Sequence, residues 1–296
     1  MVDGKPTVIS LFAGCGGSSL GYKQAGYKEL LAIDFDKKAV ETFRLNFPEV
    51  PCWERNIREV ESQEIMDFCE IEKGELDLLD GSPPCQGFSI AGKRRVNDSR
   101  NDLFKEFVRL VRELEPKVFV MENVSGLIQG KMKGIFIEIM GELKALPYQV
   151  KCKLMNAMYY GVPQSRKRLI WVGIRNDLNL QPRFPEGKHN HLMALRKLAP
   201  DVMASRSRQR NVWKDSRFPC CTITSSCFHR EIFKIPNGER EPTLTELRVL
   251  GGFPQDFQFG NGNYEAWRLI GNSVPPKMMQ TIAETIKVGL IEYASA

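Results

Sequence analysis

Short apolar runs alternate with segments of helical periodicity along the chain up to Arg175. Apolar runs too short for a helix predict buried strands. The predicted strands are Thr7–Ala13, Leu30–Asp34, Leu76–Gly81, Lys117–Met121 and Arg168–Ile174. Between the third and fourth strands, Leu103–Leu114 has apolar residues at helical spacing, with Asp102 or Asn101 available as a cap. Strands that alternate with helices predict an α/β fold whose mostly parallel sheet is covered on both faces.

The regular pattern breaks down between residues 176 and 240. Prolines at 182, 185, 200 and 219 interrupt it, and Ser205–Arg210 is a short basic polar stretch. We expect a small irregular subdomain here rather than a continuation of the sheet. Helical periodicity returns at Thr243–Leu250, and a final helix is predicted from Lys277 to about Tyr293.

Composition narrows the class of protein. The chain has 296 residues, of which 42% are hydrophobic and 26% charged, a balance typical of globular proteins. No apolar run approaches the roughly 18 residues of a membrane helix, and we expect no signal peptide before the first predicted strand. We therefore expect none of the secreted, membrane, collagenous or disordered classes. The eight cysteines form no CxxC pair, which predicts reduced thiols and a cytoplasmic location.

Charge is distributed unevenly along the chain. Residues 175–245 contain 13 Lys or Arg against 7 Asp or Glu, so this segment accounts for the whole net charge of +6. A basic segment attached to a neutral body favours a polyanionic partner, with phosphate the obvious candidate. A solvated basic loop region explains the same charge, and composition alone does not decide between the two.

The ends of the predicted strands carry candidate chemistry, because ligands of such sheets bind beyond the carboxyl ends of the strands. A glycine-rich turn, Phe12–Gly21, follows the first strand, and its glycines allow backbone amides to approach a ligand. Asp34 ends the second strand, where a carboxylate can accept both ribose hydroxyls, and Phe35 can stack on adenine. These residues predict an adenosine-containing cofactor and leave open whether it is a dinucleotide or S-adenosylmethionine.

The third and fourth strands end in a cysteine loop and an acid. In Gly81–Ser89 two prolines stiffen the chain before Cys85, and a rigidly held thiol suits nucleophilic attack. Glu122 leaves the fourth strand at the same edge and is a candidate general acid. Arg166 and Arg168 lie at the start of the fifth strand and can hold an anionic or carbonyl-bearing substrate. The alternatives are a structural cysteine, a capping or ion-paired glutamate, and ordinary surface arginines.

Together these segments resemble the cytosine-C5 DNA methyltransferase family of bacterial or phage restriction-modification type. The family's motifs occur in order: FAGCGG, GSPPCQGFS, MENV, QSRKR, LGGFP at 250–254 and GNSVPP at 271–276. The resemblance spans the chain except for roughly residues 179–240, and PPCQ with ENV is its most specific part. It implies a Rossmann-like, class I S-adenosylmethionine-dependent methyltransferase fold formed by residues 1–178 and 241–296, with a target-recognition domain at 179–240.

The resemblance also implies a mechanism. The target cytosine would swing out of duplex DNA, and the Cys85 thiolate would attack its C6 atom, which makes C5 electron-rich. Glu122, protonated, would hydrogen-bond cytosine N3, and Arg168, with Arg166, would contact the cytosine carbonyl or its phosphate. C5 would then take the methyl group of S-adenosylmethionine, and loss of the C5 proton would release Cys85.

Further residues and partners are assigned by the same resemblance. The residues expected to line the cofactor pocket are Phe12, Gly14, Gly16, Asp34, Phe35, Asn56, Ile57, Pro84, Leu103 and Asn272. Those expected to contact DNA are Gln86, Ser89, Arg206, Arg208, Arg210, Thr222 and Thr224. The expected partners are double-stranded DNA and a cognate restriction endonuclease, with no membrane partner. The chain is expected to act as a monomer in a bacterial cytoplasm or a phage-infected cell.

Some positions depart from the family pattern. Asn56 stands where an aspartate usually binds the adenine amino group, so we expect weaker cofactor binding. Thr245 stands where an arginine is common before LGGFP, which is expected to loosen the hinge near the DNA-reading region. Cys15 lies at a variable position of the glycine-rich turn and is expected only to pack. No metal is predicted, because the histidines at 189, 191 and 229 and the cysteines at 220, 221 and 227 fit no standard zinc spacing.

Three other interpretations explain less of the sequence. A tRNA cytosine-5 methyltransferase would share the chemistry, but the basic segment favours a reader of duplex DNA. A regulatory module without catalysis should lack the cysteine or the acid, whereas Cys85, Glu122 and Arg168 are all present. A dinucleotide oxidoreductase would explain the glycine-rich turn and Asp34, but it would leave the PPCQ motif without a function.

Overall fold

The computed structural model describes residues 4–84, 102–188, 192–207, 212–225, 231–260 and 262–294. The strands are β1 (Thr7–Leu11), β2 (Lys28–Asp34), β3 (Cys52–Glu54), β4 (Leu78–Gly81), β5 (Val118–Val124), β6 (Tyr148–Asn156), β7 (Lys167–Arg175), β8 (Ala204–Ser207), β9 (Lys214–Asp215), β10 (Glu231–Ile235) and β11 (Gly238–Arg240). The helices are α1 (Gly17–Gln24), α2 (Lys37–Asn46), α3 (Ser62–Cys69), α4 (Leu103–Leu114), α5 (Lys133–Lys144), α6 (Leu244–Gly251), α7 (Asn263–Asn272) and α8 (Pro276–Ala294).

Seven strands form one sheet in the order β3-β2-β1-β4-β5-β7-β6. The strands from β3 to β5 in this order pair in parallel, whereas β7 runs antiparallel to both of its neighbours, β5 and β6. Apolar clusters cover both faces, with Leu79 and Phe107 in one cluster and Val8 and Tyr22 in the other. The α/β fold with a mostly parallel, doubly covered sheet is therefore confirmed.

The five predicted strands are present, and the predicted helix Leu103–Leu114 has the observed bounds of α4. Its start differs from expectation, because the Asp102 carboxylate makes no cap hydrogen bond and lies 3.2 Å from Lys105 Nζ. The sequence pattern misses β3 and β6. The first has only three residues. The second is an edge strand, YQVKCKLMN, in which lysines interrupt the apolar run, as charges on edge strands commonly do.

The region expected to be irregular contains an antiparallel sheet of its own, in the order β11-β10-β8-β9. This agrees with the expectation of a subdomain that does not continue the main sheet, and its strands of two to five residues are too short to show a hydrophobic period. Phe233 of β10 is fully buried in one apolar cluster with Phe43 of α2, Leu250 of α6 and Trp267 of α7. This small sheet therefore shares a core with the cofactor side of the main sheet.

The C-terminal helix returns to the start of the fold. Tyr27 donates its hydroxyl to the Ala283 carbonyl of α8 at 3.1 Å, and Ile282 shares an apolar cluster with Val8 of β1. The segment before α8 reaches the glycine-rich turn, where Cys15 Sγ lies 4.0 Å from Ser273 Oγ. Burial raises the pKa of the Cys15 thiol to about 12, which fits packing rather than reactivity. Among the helices that the structure describes, none is long and apolar enough to cross a membrane.

A buried acid lies just before the cysteine loop. Asp80 of β4 is 2% exposed, and its Oδ1 accepts a hydrogen bond from the Tyr22 hydroxyl at 3.0 Å. Burial raises the pKa of Asp80 to about 8. Glu29 accepts a hydrogen bond from Ser19 at 2.8 Å, and burial raises its pKa to about 7. The folded chain therefore keeps protons on these carboxyl groups at pH values where the unfolded chain has lost them.

This proton retention makes stability depend on pH. Because the folded state binds more protons than the unfolded state between the ordinary carboxyl pKa of 3.8 and the raised value of about 8, stability should fall as pH rises through that window. Asp80→Asn mimics the protonated acid and still accepts from Tyr22, so it should flatten this fall. Thermal unfolding from pH 5 to pH 9 measures the effect. Equal slopes for the wild-type and variant chains would contradict the assignment.

Candidate active site and cofactor pocket

The reversed direction of β7 brings an arginine to the carboxyl end of β5. Because β7 is antiparallel to β5, its first residues lie beside the last residues of β5, and Arg168 pairs in register with Val124. Arg168 Nε lies 2.6 Å from Glu122 Oε1, and the two side chains are only 11% and 9% exposed. A charged pair so far from water needs both partners, because either charge alone would be strongly destabilised. The structure therefore brings together the predicted acid and one predicted arginine.

The same edge holds the start of the cysteine loop. Asn123 is buried, and its Nδ2 donates to the Pro83 carbonyl at 3.1 Å. This hydrogen bond joins the ENV motif to the PPCQ motif two residues before Cys85. The sequence analysis gave Asn123 no role, although its place beside Glu122 within ENV was an available signal. Cys85, Gln86 and Ser89 lie outside the described residues.

Arg166 is placed differently from Arg168. It is 2% exposed, and its Nη1 and Nη2 donate to the carbonyl oxygens of Ile223 and Gly271, both at 2.9 Å. With both terminal nitrogens bound to backbone, Arg166 connects the 220–225 segment to α7. This geometry does not provide the expected contact with a base or a phosphate. It also excludes the alternative of an ordinary surface charge.

A second buried side chain of the QSRKR motif makes a similar connection. Gln164 Nε2 donates to the Leu250 carbonyl of α6, and its Oε1 accepts from the Ile223 amide, both at 2.9 Å. The Thr222 hydroxyl donates to the Ser165 carbonyl at 2.6 Å. The sequence analysis missed Gln164, whose partners lie 59 and 86 residues further along the chain. Gln164 and Arg166 thus fix the 220–225 segment against the catalytic edge.

The ends of β1 and β2 form the candidate cofactor pocket. The Asp34 carboxylate accepts a hydrogen bond from the Gly14 amide at Oδ2 and one from the Asp36 amide at Oδ1, both at 2.8 Å. Burial raises the pKa of Asp34, and these two amides oppose the shift. Gly14 and Gly16 have φ values of 58° and 92°, which favour glycine, and a Cβ built on Gly14 would meet nothing within 4 Å. The turn therefore leaves open space in front of a fixed carboxylate.

The other predicted pocket residues differ in exposure. Phe35 is 67% exposed, as a ring available for stacking must be. Asn56 is exposed, and its side chain accepts from the Arg58 amide at 3.3 Å. The remaining predicted pocket residues are Phe12 with a φ of 55°, buried Ile57 and Leu103, half-buried Pro84, and exposed Asn272 at the end of α7.

The predicted DNA-contacting residues that the structure describes are partly engaged within the protein. Arg206 Nη2 lies 3.0 Å from Glu239 Oε2, and its guanidinium lies over the Trp213 ring at 4.8 Å. The Thr224 carbonyl accepts from Trp267 Nε1 at 3.0 Å. Arg208 and Arg210 lie outside the described residues. Within the described ranges, no group of three or more His, Cys, Asp or Glu side chains is arranged to hold a metal ion.

The sheet order with a reversed β7, the glycine-rich turn after β1 and the acid at the end of β2 define the class of protein as a class I S-adenosylmethionine-dependent methyltransferase fold. The family model of the C-5 cytosine-specific DNA methylases matches residues 6–218 and 199–288. The chain belongs to this family and is a DNA (cytosine-5-)-methyltransferase of the bacterial restriction-modification type.

Named relatives agree with this family, and solved structures share the fold. The chain is 32% identical to the type II methyltransferase M1.HphI of Haemophilus parahaemolyticus, over 95% of this chain and 86% of that protein. It is 30% identical to M.NgoPII of Neisseria gonorrhoeae, over 95% of both chains. Its fold is similar to that of a putative DNA modification methyltransferase encoded within an E. coli prophage, with a TM-score of 0.78, 24% identity, and 99% and 100% of the two chains covered. The Spodoptera frugiperda DNMT2 structure has a TM-score of 0.72 at 22% identity, covering 97% of this chain and 100% of that chain.

Gly271 of α7 packs directly against the backbone of the 220–225 segment. A Cβ built there would lie 2.4 Å from Ser225 N and 2.4 Å from Thr224 C, both backbone atoms that cannot rotate away. Gly271→Ala should therefore destabilise the chain by about 1–3 kcal/mol. Gly289→Ala on α8 is the matched control. Its Cβ would meet nothing within 4 Å, so it should raise stability by about 0.5–1 kcal/mol. Thermal unfolding measures both, and equal effects would contradict the assigned contact.

Proposed function

We propose that this methyltransferase acts on a cytosine swung out of duplex DNA, through a covalent bond to Cys85 and with S-adenosylmethionine as the methyl donor. The observation that carries the proposal is the buried Glu122–Arg168 pair, at the edge where Asn123 holds the loop that leads to Cys85. An acid beside a cation can bind the edge of the cytosine ring that carries N3 and the carbonyl oxygen. C5 and C6 of cytosine are unreachable inside a base stack, so the proposal requires base flipping.

The first step uses Cys85 and Glu122. The Cys85 thiolate adds to C6, a C–S bond forms, and the electron pair of the C5–C6 double bond moves to C5. Glu122, a carboxylate paired with Arg168 in the free chain, takes up a proton when the base binds and shares it with N3, which stabilises the negative charge that develops on the ring. Since Oε1 of Glu122 is bound to Arg168, the proposal gives the proton to Oε2. Arg168 fixes the orientation of that acid and lies beside the place where the cytosine carbonyl would bind.

The second step needs a donor in the pocket at Asp34. The residues present fit adenosylated sulfonium binding, because the Asp34 carboxylate, held by the Gly14 and Asp36 amides, can still accept a ribose hydroxyl. When bound, S-adenosylmethionine supplies an electrophilic methyl group. Bound beside Asp34, it would give that group to C5 and leave as S-adenosylhomocysteine; loss of the C5 proton to water would then restore the C5–C6 double bond and release the Cys85 thiolate. Atoms and charge balance over the cycle, and Cys85 is regenerated.

Partners follow from the same proposal. Double-stranded DNA is the substrate, bound through the basic segment and read by the recognition region at 179–240. The relatives named above are type II methyltransferases, which supports a cognate restriction endonuclease as the partner in the cell. We propose that the chain acts as a monomer, where bacterial or phage DNA is present.

The covalent step can be tested with 5-fluorocytosine, since a fluorine at C5 cannot leave as a proton and the adduct persists. With S-adenosylmethionine and random-sequence duplexes containing 5-fluorocytosine, the wild-type chain should give a protein–DNA complex that survives denaturant. Cys85→Ala should give none and should lose at least about 10³-fold in methyl transfer. Cys69→Ala, at the end of α3, should behave as the wild-type chain does. Adduct formation by Cys85→Ala would contradict the assigned nucleophile.

DNA affinity should depend steeply on salt if the basic segment binds phosphates. The logarithm of the binding constant should fall linearly with log salt concentration, by roughly 0.9 for each phosphate neutralised. The double variant Arg208→Gln/Arg210→Gln should reduce that slope by about 2. Lys73→Gln/Lys144→Gln removes two charges from the opposite edge of the sheet and should leave the slope unchanged. A flat salt dependence of the wild-type chain would favour the solvated-loop interpretation.

A further inference from the structure

An arginine of α7 reaches the loop that ends β2. Arg268 Nη1 lies 2.5 Å from Asp36 Oδ2, and its Nε and Nη2 lie 3.0 Å and 2.5 Å from Glu265 Oε1. Both ends of the Arg268–Asp36 pair are about one-quarter exposed. The two residues are 232 positions apart, so the pair joins the C-terminal part of the chain to the cofactor side of the sheet. Because Glu265 holds the same guanidinium, the arginine is oriented before it meets Asp36.

The backbone amide and both carboxylate oxygens of Asp36 form hydrogen bonds. Its backbone amide donates to Asp34 Oδ1 at 2.8 Å. Its Oδ1 accepts from the amides of Lys38 and Ala39 at 3.0 Å and 3.2 Å, which caps α2, and its Oδ2 accepts from Arg268. Burial raises the pKa of Asp36, but hydrogen bonds from Arg268 and from the Ala39 amide outweigh it, so the net shift is downward. Asp36 is therefore held as a carboxylate at a fixed position.

The helix that carries Arg268 is itself fixed from its other side. Trp267 Nε1 donates to the Thr224 carbonyl at 3.0 Å, and Arg166 donates to the Gly271 carbonyl at the end of the helix. These contacts prevent α7 from following the β2 loop if that loop moves. The Arg268–Asp36 pair thus ties the β2 loop to a helix that is held at two other points.

We infer that Arg268 is a positioning residue for the cofactor: it holds Asp36, and through the Asp36 amide it sets the orientation of the Asp34 carboxylate that receives the ribose. The inference rests on the proposed use of S-adenosylmethionine. Without Arg268, Asp36 Oδ2 loses its partner while Oδ1 still caps α2, and the Asp34 carboxylate can turn away from the Gly14 amide. The Asp34 carboxylate is then no longer oriented in the free chain, and ordering it on binding costs free energy. Cofactor affinity therefore falls, although no atom of Arg268 touches the cofactor.

Cofactor affinity, measured apart from catalysis, tests this role. Calorimetric titration with S-adenosylhomocysteine should show about tenfold weaker binding by Arg268→Gln, which corresponds to about 1.4 kcal/mol. Arg268→Lys keeps the charge near Asp36 and should recover part of the affinity. Asp36→Asn can still cap α2 and should weaken binding as much as Arg268→Gln does. The double variant should be no weaker than either single variant, because both changes remove one interaction.

A matched control separates positioning from general stability. Arg175 is likewise bound to an aspartate, Asp177, and to backbone carbonyls, but at the opposite edge of the sheet. Arg175→Gln should lower the melting temperature and leave affinity for S-adenosylhomocysteine unchanged. In methyl transfer, Arg268→Gln should raise KM for S-adenosylmethionine and leave kcat at saturation within about twofold, whereas a purely structural loss would lower the active fraction and hence kcat.

Two results would overturn the inference in distinguishable ways. If the wild-type chain binds S-adenosylhomocysteine and Arg268→Gln and Asp36→Asn bind it equally well, the positioning role is wrong and the proposed cofactor stands. If the wild-type chain and Asp34→Asn both fail to bind it, the proposed cofactor is wrong and the positioning role falls with it. If the wild-type chain binds S-adenosylhomocysteine, Asp34→Asn does not, and the Arg268 and Asp36 variants bind it more weakly as stated above, both the proposed cofactor and the positioning role are supported.

Discussion

The side chains of Glu122 and Arg168 form an ion pair that is almost completely shielded from water. Their burial constrains how the strands are arranged at this edge of the sheet. Two opposite charges at such depth are tolerable only if they meet at hydrogen-bonding distance, here 2.6 Å. Glu122 lies near the carboxyl end of β5, and its partner Arg168 comes from the start of β7, which begins at the same edge. A parallel β7 would begin at the opposite edge. Because β7 is antiparallel to β5, an arginine from the start of β7 stands beside an acid from the end of β5, where the cysteine loop begins.

Buried side-chain hydrogen bonds connect this edge of the sheet to the 220–225 segment. Arg166 and Gln164, from the segment that leads into β7, bind backbone groups of the 220–225 segment, α6 and α7. Through Trp267 and Arg268, α7 then contacts both the recognition region and the β2 loop. The side that would read DNA and the side that would hold the cofactor therefore share one support.

The sequence predicts local features well and distant pairings poorly. The glycine-rich turn, Asp34, Glu122 and α4 follow from patterns within about ten residues, and the structure has them where they were expected. The role of Arg166 could not be predicted, because its partners lie 57 and 105 residues away and are backbone carbonyls that carry no sequence signal. The small antiparallel sheet was missed for a different reason. Its strands are too short for a hydrophobic period, and their burial comes from helices of the main domain.

Mapping of 5-methylcytosine tests the central claim most directly. The purified chain would be incubated with S-adenosylmethionine and unmethylated duplex DNA, with tRNA in parallel, and the products read by bisulfite sequencing. The account expects methylation at one recurrent short DNA motif and none in tRNA. Methylation of tRNA alone would contradict the assignment of duplex DNA as the substrate. Absence of methylation from both, with Glu122 and Arg168 intact, would contradict the catalytic role given to this edge of the sheet.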